Sequence, residues 1–275
     1  MTFTILIDTP DKEGLVYEIS SIILKTGFNI EKNDEFVDKE HNHFFMRTII
    51  KKEHNISKNN LYQSLSQKLP KESNIRIFED TKKSIVILCT KEPHCLGDIL
   101  IKNNIGELNV DIKAVISNHE NLRELVEKFN IPYFHISHKI NGAEHLIIQK
   151  CKELNPSFII LAKYMQILSP TFVEAFHQKI INIHHSFLPA FIGANPYKQA
   201  YDRGVKIIGA TSHFVTNELD CGPIICQDIM QVNHTYSWKD MQKAGKTIER
   251  VVLAKAIDLA IENRIFIHKN KTIIF

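Results

Sequence analysis

Ser157-Phe-Ile-Ile-Leu-Ala162 is the stretch whose reading decides the fold. Its apolar run leaves neither face polar, as a strand requires when helices cover both sides of its sheet, whereas a half-exposed strand would alternate. Working backwards, the chain alternates in βα fashion: strand 84–89, helix 95–104, strand 109–116, helix 119–129, short strand 132–136 and helix 142–153. This order predicts an α/β unit built on a mostly parallel sheet. Working forwards, a long helix is predicted to start at Ser237, with Asp240 completing a capping box and Met241, Ala244, Ile248, Val251 and Val252 as its buried stripe. Short strands at 265–268 and 272–275 close the chain.

The first third has another rhythm. A strand at 3–7 runs into the turn 8–14, and Leu15, Ile19, Ile22, Ile23 and Leu24 follow at near-helical spacing. Two β-like stretches, 29–37 and 43–51, flank the polar turn 38–42 as a hairpin. Leu61, Leu65 and Leu69 recur four apart after residues 55–60, and Ile75-Arg-Ile77 supplies a last strand. The order β-α-β-β-α-β is that of a ferredoxin-like domain. The polar stretch Glu79-Asp-Thr-Lys-Lys83 reads as a linker, which divides the chain into domains 1–82 and 83–275.

Composition narrows the function. At 275 residues with 44% hydrophobic and 24% charged residues, the chain can bury two ordinary cores, so disordered, collagen-like and coiled-coil readings fail. The net charge is only +3 and is not clustered, which argues against nucleic acid as a partner. The five cysteines form no CxxC pair, so neither a disulfide framework nor a zinc knuckle is indicated and a reducing cytoplasm is the expected compartment. No basic leader and no run of roughly 18 apolar residues appears, so no membrane partner is expected. Glycine loops of the GxGxxG or GxxxxGK[ST] type are missing, which removes the main support for a nucleotide cofactor.

Chemistry concentrates in two segments. In Ile180-Ile-Asn-Ile-His-His-Ser-Phe-Leu-Pro-Ala-Phe-Ile-Gly193, Asn182 and His184 share one strand face because side chains alternate, so an amide donor and an acid/base group converge at a strand's carboxyl end. The second segment is Ile207–Val215 followed by Glu218–Ile225. There Asp220 precedes Gly222 and Pro223 in a turn able to swing its carboxylate towards His184. A carboxylate beside an imidazole fixes its tautomer and favours the imidazolium.

These motifs, NIHHSFLPAF at 182–191, GATSHFV at 209–215 and ELDCGPII at 218–225, are similar to the folate-dependent formyltransferase fold. The resemblance is closer to the formyltetrahydrofolate deformylase family, through PHCLGDIL at 93–100, LAKYMQILSP at 161–170 and HHSFLPAFIGANPY at 184–197. DKEGLV at 11–16, NDEFVD at 33–38 and FFMR at 44–47 resemble an ACT domain. The implied architecture is an N-terminal ACT domain before a mostly parallel, Rossmann-like formyltransferase domain. The implied reaction is hydrolysis of 10-formyltetrahydrofolate to tetrahydrofolate and formate, which supplies formate for purine synthesis and balances one-carbon folate pools, with no metal and no tightly bound cofactor. The family's catalytic Asn, His and Asp fall on Asn182, His184 and Asp220. The resemblance further places Met165, Gln166, Ile167, Leu168, Cys221 and Gly222 on the pterin pocket. It implies a glycine or methionine effector near Asp11, Gly14 and Leu15; the plainer alternative is that such a domain simply pairs subunits through its sheet or helices, and a homo-oligomer is expected.

The alternative is an amine formyltransferase using the same donor. In such enzymes the residue after the catalytic His is often Pro or Ala, whereas His185 stands here, a secondary catalytic or site-shaping residue. A transferase acting on tRNA would be expected to carry a basic surface. A non-catalytic amino-acid sensor is opposed by the intact Asn182, His184 and Asp220. Among the remaining candidates, His213 reads as structural, Cys221 as packing rather than a nucleophile, and Ser186 as a loop hydrogen-bonding residue, since no G-x-S-x-G elbow surrounds it. His41 and His43 flank Asn42 in a hairpin turn with no further ligand pattern following, so no metal is assigned.

Overall fold

The computed structural model describes residues 1–52, 58–191 and 195–275. Part of the stretch 55–60 and residues 192–194 of the HHSFLPAFIGANPY motif lie outside the described residues. Two compact units separate, one comprising Met1–Thr81, Asn263–His268 and Ile273–Phe275, the other Lys82–Glu262 and Lys269–Thr272.

The first unit runs β1 (Thr2–Pro10), α1 (Leu15–Lys25), β2 (Phe28–Asp38), β3 (His43–Lys52), α2 (Lys58–Lys68) and β4 (Asn74–Glu79). The strands form one antiparallel sheet in the order β2-β3-β1-β4. Period two and period 3.6 meet in its core. Phe3, Ile5 and Ile7 alternate along β1 towards Leu15, Ile19 and Ile23 of α1 and Leu61 and Leu65 of α2.

The second unit contains β5 (Lys83–Cys89), α3 (His94–Asn104), β6 (Val110–Ser117), α4 (Arg123–Glu127), β7 (Tyr133–His135), α5 (Ala143–Leu154), β8 (Phe158–Ala162), α6 (Pro170–Ala175), β9 (Ile180–His184), α7 (Pro196–Arg203), β10 (Ile207–Phe214), β11 (Ile224–Gln231) and α8 (Trp238–Ile261). Its sheet has the order β11-β10-β9-β8-β5-β6-β7. Strands β5 to β9 are mutually parallel, and near one edge β10 pairs antiparallel with both β9 and β11. As its apolar run requires, β8 is buried from Ile159 to Ala162. The chain leaves β5 first towards β6 and later towards β8, so the connections diverge there and a crevice opens at the strands' carboxyl ends.

Some expectations need correction. The helix expected over 119–129 is confined to Arg123–Glu127. Residues before it are held as loop: the His119 amide donates to Ser117 Oγ, Asn121 Nδ2 to the Lys91 carbonyl and Tyr133 Oη to the His119 carbonyl. The capping box of Ser237 and Asp240 forms. Val251, however, is 48% exposed and Ala244 only half-buried, and Gly245 and Glu249 lie on the buried stripe instead.

The chain's end also departs from a single break near residue 82, since β12 (Ile265–His268) and part of β13 (Lys271–Ile274) return to the first unit. The reason is a second apolar face on that unit's sheet. Leu6 and Phe45 point away from the two helices, and Phe266, with Phe78, Ile273 and Phe275, covers them. The Arg76 guanidinium lies 5.2 Å above the Phe266 ring, and Arg47 Nε donates to the Asn263 carbonyl at 3.1 Å. Phe266→Ala is therefore expected to destabilise the first unit by about 3–5 kcal/mol, the usual cost of emptying a buried aromatic site. Urea unfolding followed by circular dichroism measures this, and a cost near zero would show that the C-terminal strand merely rests on the sheet.

Candidate active site

Strand β9 delivers Asn182 and His184 to one side of the sheet's carboxyl edge. Both line a cavity of about 320 Å³ together with the loop after β8 (Lys163–Leu168) and the loop after β10 (Val215–Asp220). The His184 side chain is only 6% exposed. Its Nδ1 faces Asp220 Oδ2 at 3.3 Å, while Nε2 is buried without a hydrogen-bond partner. The unpartnered nitrogen is thus the one that does not face the carboxylate.

Backbone geometry brings Asp220 to this place. Asp220 sits in the left-handed region at φ 56°, a conformation that Asp tolerates better than most residues. Two residues on, Gly222 packs so tightly that a Cβ would stand 1.8 Å from the Phe214 carbonyl oxygen. The Phe214 amide donates to the Pro223 carbonyl at 2.9 Å, closing the turn. Burial pushes the Asp220 carboxyl up, but the His184 and His213 imidazoles more than offset this and hold it well below the usual carboxylate range.

His213 is the residue that sequence reasoning undervalued. It lies opposite Asn182 across the β9–β10 pair, and the two side chains meet at 3.2 Å. Its Nδ1 is 2.9 Å from the Phe214 carbonyl, so in the neutral ring Nδ1 donates there and Nε2 accepts from Asn182 Nδ2. That bond orients the amide and leaves its second N–H available. The same Nε2 stands 3.7 Å from Asp220 Oδ1. The available signal was register: an antiparallel partner of the Asn-x-His strand must place some side chain opposite Asn182. Thr211, two pairs along and opposite His184, braces the loop after β9 by accepting from the Leu188 amide and donating to the Ser186 carbonyl. Ser186 Oγ donates to the Ala190 carbonyl at 2.7 Å, a loop bond as expected.

A second chamber of about 470 Å³ adjoins the first, sharing Lys163, Met165, Gln166 and His185. At its wall Glu249 is 1% exposed and held by three partners: His94 Nε2 at 2.8 Å, Tyr197 Oη at 2.7 Å and Lys163 Nζ at 3.2 Å. Burial raises the Glu249 carboxyl, yet the His94 hydrogen bond and the Lys163 charge bring it down to about 2. His185 stands between the chambers, and burial together with Lys163 lowers its imidazole to about 3, so it is neutral near pH 7. His94, Cys95 and Glu249 are close enough to be read as metal ligands. The Lys163 ammonium already occupies that carboxylate, and burial pushes the Cys95 thiol far up, so this donor set does not suit a cation.

Comparison with known proteins turns this geometry into a lineage. Residues 83–257 match the family model described as formyl transferase. The chain is 54% identical to a formyltetrahydrofolate deformylase of Haemophilus influenzae over 98% of each chain. It belongs to the formyltetrahydrofolate deformylase family. The crystal structure of the deformylase from Pseudomonas syringae pv. tomato superposes with a TM-score of 0.95 at 37% identity, covering 100% of this chain and 94% of that one. A glycinamide ribonucleotide transformylase from Symbiobacterium toebii, at 27% identity and a TM-score of 0.68, covers 72% of this chain and 96% of its own.

Of the residues that the family resemblance singles out, Asn182, His184 and Asp220 meet at one cavity wall, and His185 joins them at its margin. Met165, Gln166, Ile167 and Leu168 line the same cavity, with Met165 and Ile167 at an exposed rim. Cys221 and Gly222 do not line it. Cys221 is exposed, its carbonyl accepting from Asn270 Nδ2, and Gly222 is spent on the close approach to Phe214. In the first unit, Gly14 precedes α1 at φ 83° and the Asp11 amide donates to the Asn42 carbonyl, while Leu15 is a core residue at 2% exposure and offers no side chain to a ligand.

Two outcomes follow from this geometry. Gly222→Ala must displace the turn that carries Asp220, so a loss of turnover of about 10²-fold is expected, against little change for Cys221→Ala. Equal activity of the two variants would show that the turn does not position the carboxylate. The second outcome concerns acid stability. An unfolded His takes up its proton near pH 6.5 while the native His185 does so only at about 3, so between these values the unfolded state binds the extra proton and native stability falls as pH drops. The depressed carboxylates of Asp220 and Glu249 act only below the ordinary carboxylate range. Urea midpoints measured from pH 7 to 4 are expected to fall less in His185→Asn than in the parent, and parallel curves would refute the buried neutral imidazole.

Proposed function

We propose that this protein is an enzyme that hydrolyses 10-formyltetrahydrofolate to tetrahydrofolate and formate. The observation that carries the reading is the His184 imidazole, with Asp220 on Nδ1 and an unpartnered Nε2 at a cavity wall beside the Asn182 amide. Family membership over nearly the whole chain supports the substrate. The amine formyltransferase alternative is not favoured, because the transferase-like fold accounts for 72% of the chain and the deformylase fold for 100%.

The mechanism we infer uses this chain's side chains alone. Ionised Asp220 keeps the His184 proton on Nδ1, so Nε2 presents its lone pair to a water. As the water oxygen bonds to the formyl carbon, Nε2 takes a water proton and Asp220 stabilises the resulting imidazolium. The free N–H of Asn182 donates to the oxyanion that forms on the formyl oxygen. Collapse breaks the bond between the formyl carbon and the folate nitrogen, and His184 returns its proton to that nitrogen. The products are tetrahydrofolate and formic acid, which ionises to formate. His185, neutral at working pH, shapes the site from the side of the second chamber. His213 positions Asn182.

The exposed apolar rim of Met165 and Ile167 on the cavity suits a flat heterocycle. All five cysteines are free, in keeping with a reducing cytoplasm, and among the described residues no helix is long and apolar enough to cross a membrane. Within the same reading, formate feeds purine synthesis, no cofactor is tightly bound, and the first unit is an ACT-like module that pairs subunits into a homo-oligomer. It binds glycine or methionine near Asp11 and Gly14.

Formate release from 10-formyltetrahydrofolate, with and without an amine acceptor, tests the proposal. Acceptor-independent release is expected, reduced about 10² to 10⁴-fold in Asp220→Asn and about 10² to 10³-fold in Asn182→Ala. Accumulation of a formylated amine with only background formate would replace hydrolysis by transfer.

A further inference from the structure

The hairpin turn between β2 and β3 carries more polar side chains than a solvent turn needs. Asp38 Oδ1 accepts from the Glu40 and His41 amides at 3.0 and 3.3 Å, which fixes the carboxylate and leaves Oδ2 directed at His41 Nδ1, 2.8 Å away. The sequence assigns no metal here, because nothing after His43 continues a ligand pattern. Folding supplies the missing group from the far end of the chain. His268, the last residue of β12, brings its ring to 5.6 Å from that of His41, centroid to centroid. One ligand atom each from Asp38, His41 and His268 lie within 4.8 Å of one another.

The third imidazole and its surroundings hold this arrangement. His43 stacks on His268 at 4.7 Å, and Phe45 meets the same ring edge-on at 5.3 Å. The other nearby carboxylate is already engaged, since Asp8 lies 3.5 Å from His43 Nε2 and 3.7 Å from the Arg76 guanidinium. Asp38, whose Oδ2 faces only His41 among these partners, is therefore the anionic ligand. Two imidazoles and one carboxylate select against calcium and magnesium, which take oxygen ligands, and suit zinc and its neighbours. Metal–ligand bonds of about 2.0–2.2 Å in a tetrahedral site put the ligand atoms roughly 3.4 Å apart, so ligand atoms as far apart as 4.8 Å have to close by roughly 1.4 Å at most. All three side chains are partly exposed and have room for that rotation, with a fourth position left to water. Contacts of this kind, a carboxylate oriented by amides and a histidine held by its neighbours, are what preorganise ligands around a metal.

We propose that Asp38, His41 and His268 form a divalent transition-metal site, suited to zinc, that fastens β12 to the β2–β3 turn of the first unit. The site belongs wholly to that unit, so its occupancy is independent of the formyl chemistry and acts on the cover that Phe266 provides for the sheet's second face.

Zinc titrated into EDTA-treated, full-length protein by calorimetry tests this, with cobalt absorption in the visible reporting the ligand geometry. One site per chain is expected, weakened tenfold or more in His41→Asn and in His268→Asn and unchanged in Cys95→Ser. Zinc is also expected to raise the melting temperature of the parent and to leave that of both histidine variants unmoved. His41 lies on the turn, so His41→Asn decides the question should His268→Asn fail to fold. No saturable binding, equal affinity in the parent and His41→Asn, or loss of binding in Cys95→Ser would each overturn the proposal.

Discussion

The candidate site depends on one contact, His184 Nδ1 with Asp220 Oδ2, and on the tight backbone turn that makes it possible. A carboxylate 36 residues downstream of a histidine reaches it only because β10 runs back antiparallel to β9 and because Gly222 lets the chain pass under the Phe214 carbonyl. Any side chain at Gly222 collides with backbone, which cannot yield as a flexible side chain would. Around this pair the remaining groups take their roles by exclusion. Asp220 stays ionised through its His184 contact, His213 orients the Asn182 amide, and Nε2 of His184 is left for the reactant.

The adjoining chamber solves a different electrostatic problem. Glu249 is almost wholly buried on α8, and an isolated carboxylate there would carry a large desolvation penalty. His94, Tyr197 and Lys163 satisfy it from α3, α7 and the loop after β8. The network ties together elements that approach the carboxyl edge from three directions. It also places positive charge next to His185, which helps to keep that ring neutral. One buried carboxylate thus anchors the scaffold while the other serves the proposed chemistry, and their different partners account for the division of labour.

Local pattern served well where one element's own periodicity was the cause. The apolar run 157–162, the Asn-x-His strand and the Ser237–Asp240 capping box were legible because strand alternation and helix capping are set within a few residues. It failed where a partner overrode the pattern. Residues 119–122 read as helical but are held as loop by Tyr133 and Ser117, and Val251 read as core although the buried stripe runs through Gly245 and Glu249. The family resemblance places Cys221 and Gly222 on the pterin pocket, whereas the cavity lining stops at Asp220 and Gly222 is committed to the close approach to Phe214.

By itself, the sequence determined the two α/β architectures, the strand that presents Asn182 and His184, and the family, since these rest on short-range periodicity and on contiguous motifs. Only the tertiary structure decided that Asp220 pairs with His184, that His213 stands behind Asn182, that Lys163 neutralises Glu249, and that the chain's last strands cover the first unit's sheet and carry His268 to His41. Each of these joins residues far apart in the chain. Such pairings follow from sheet order and register, which the packing of whole elements sets and no local stretch of residues encodes.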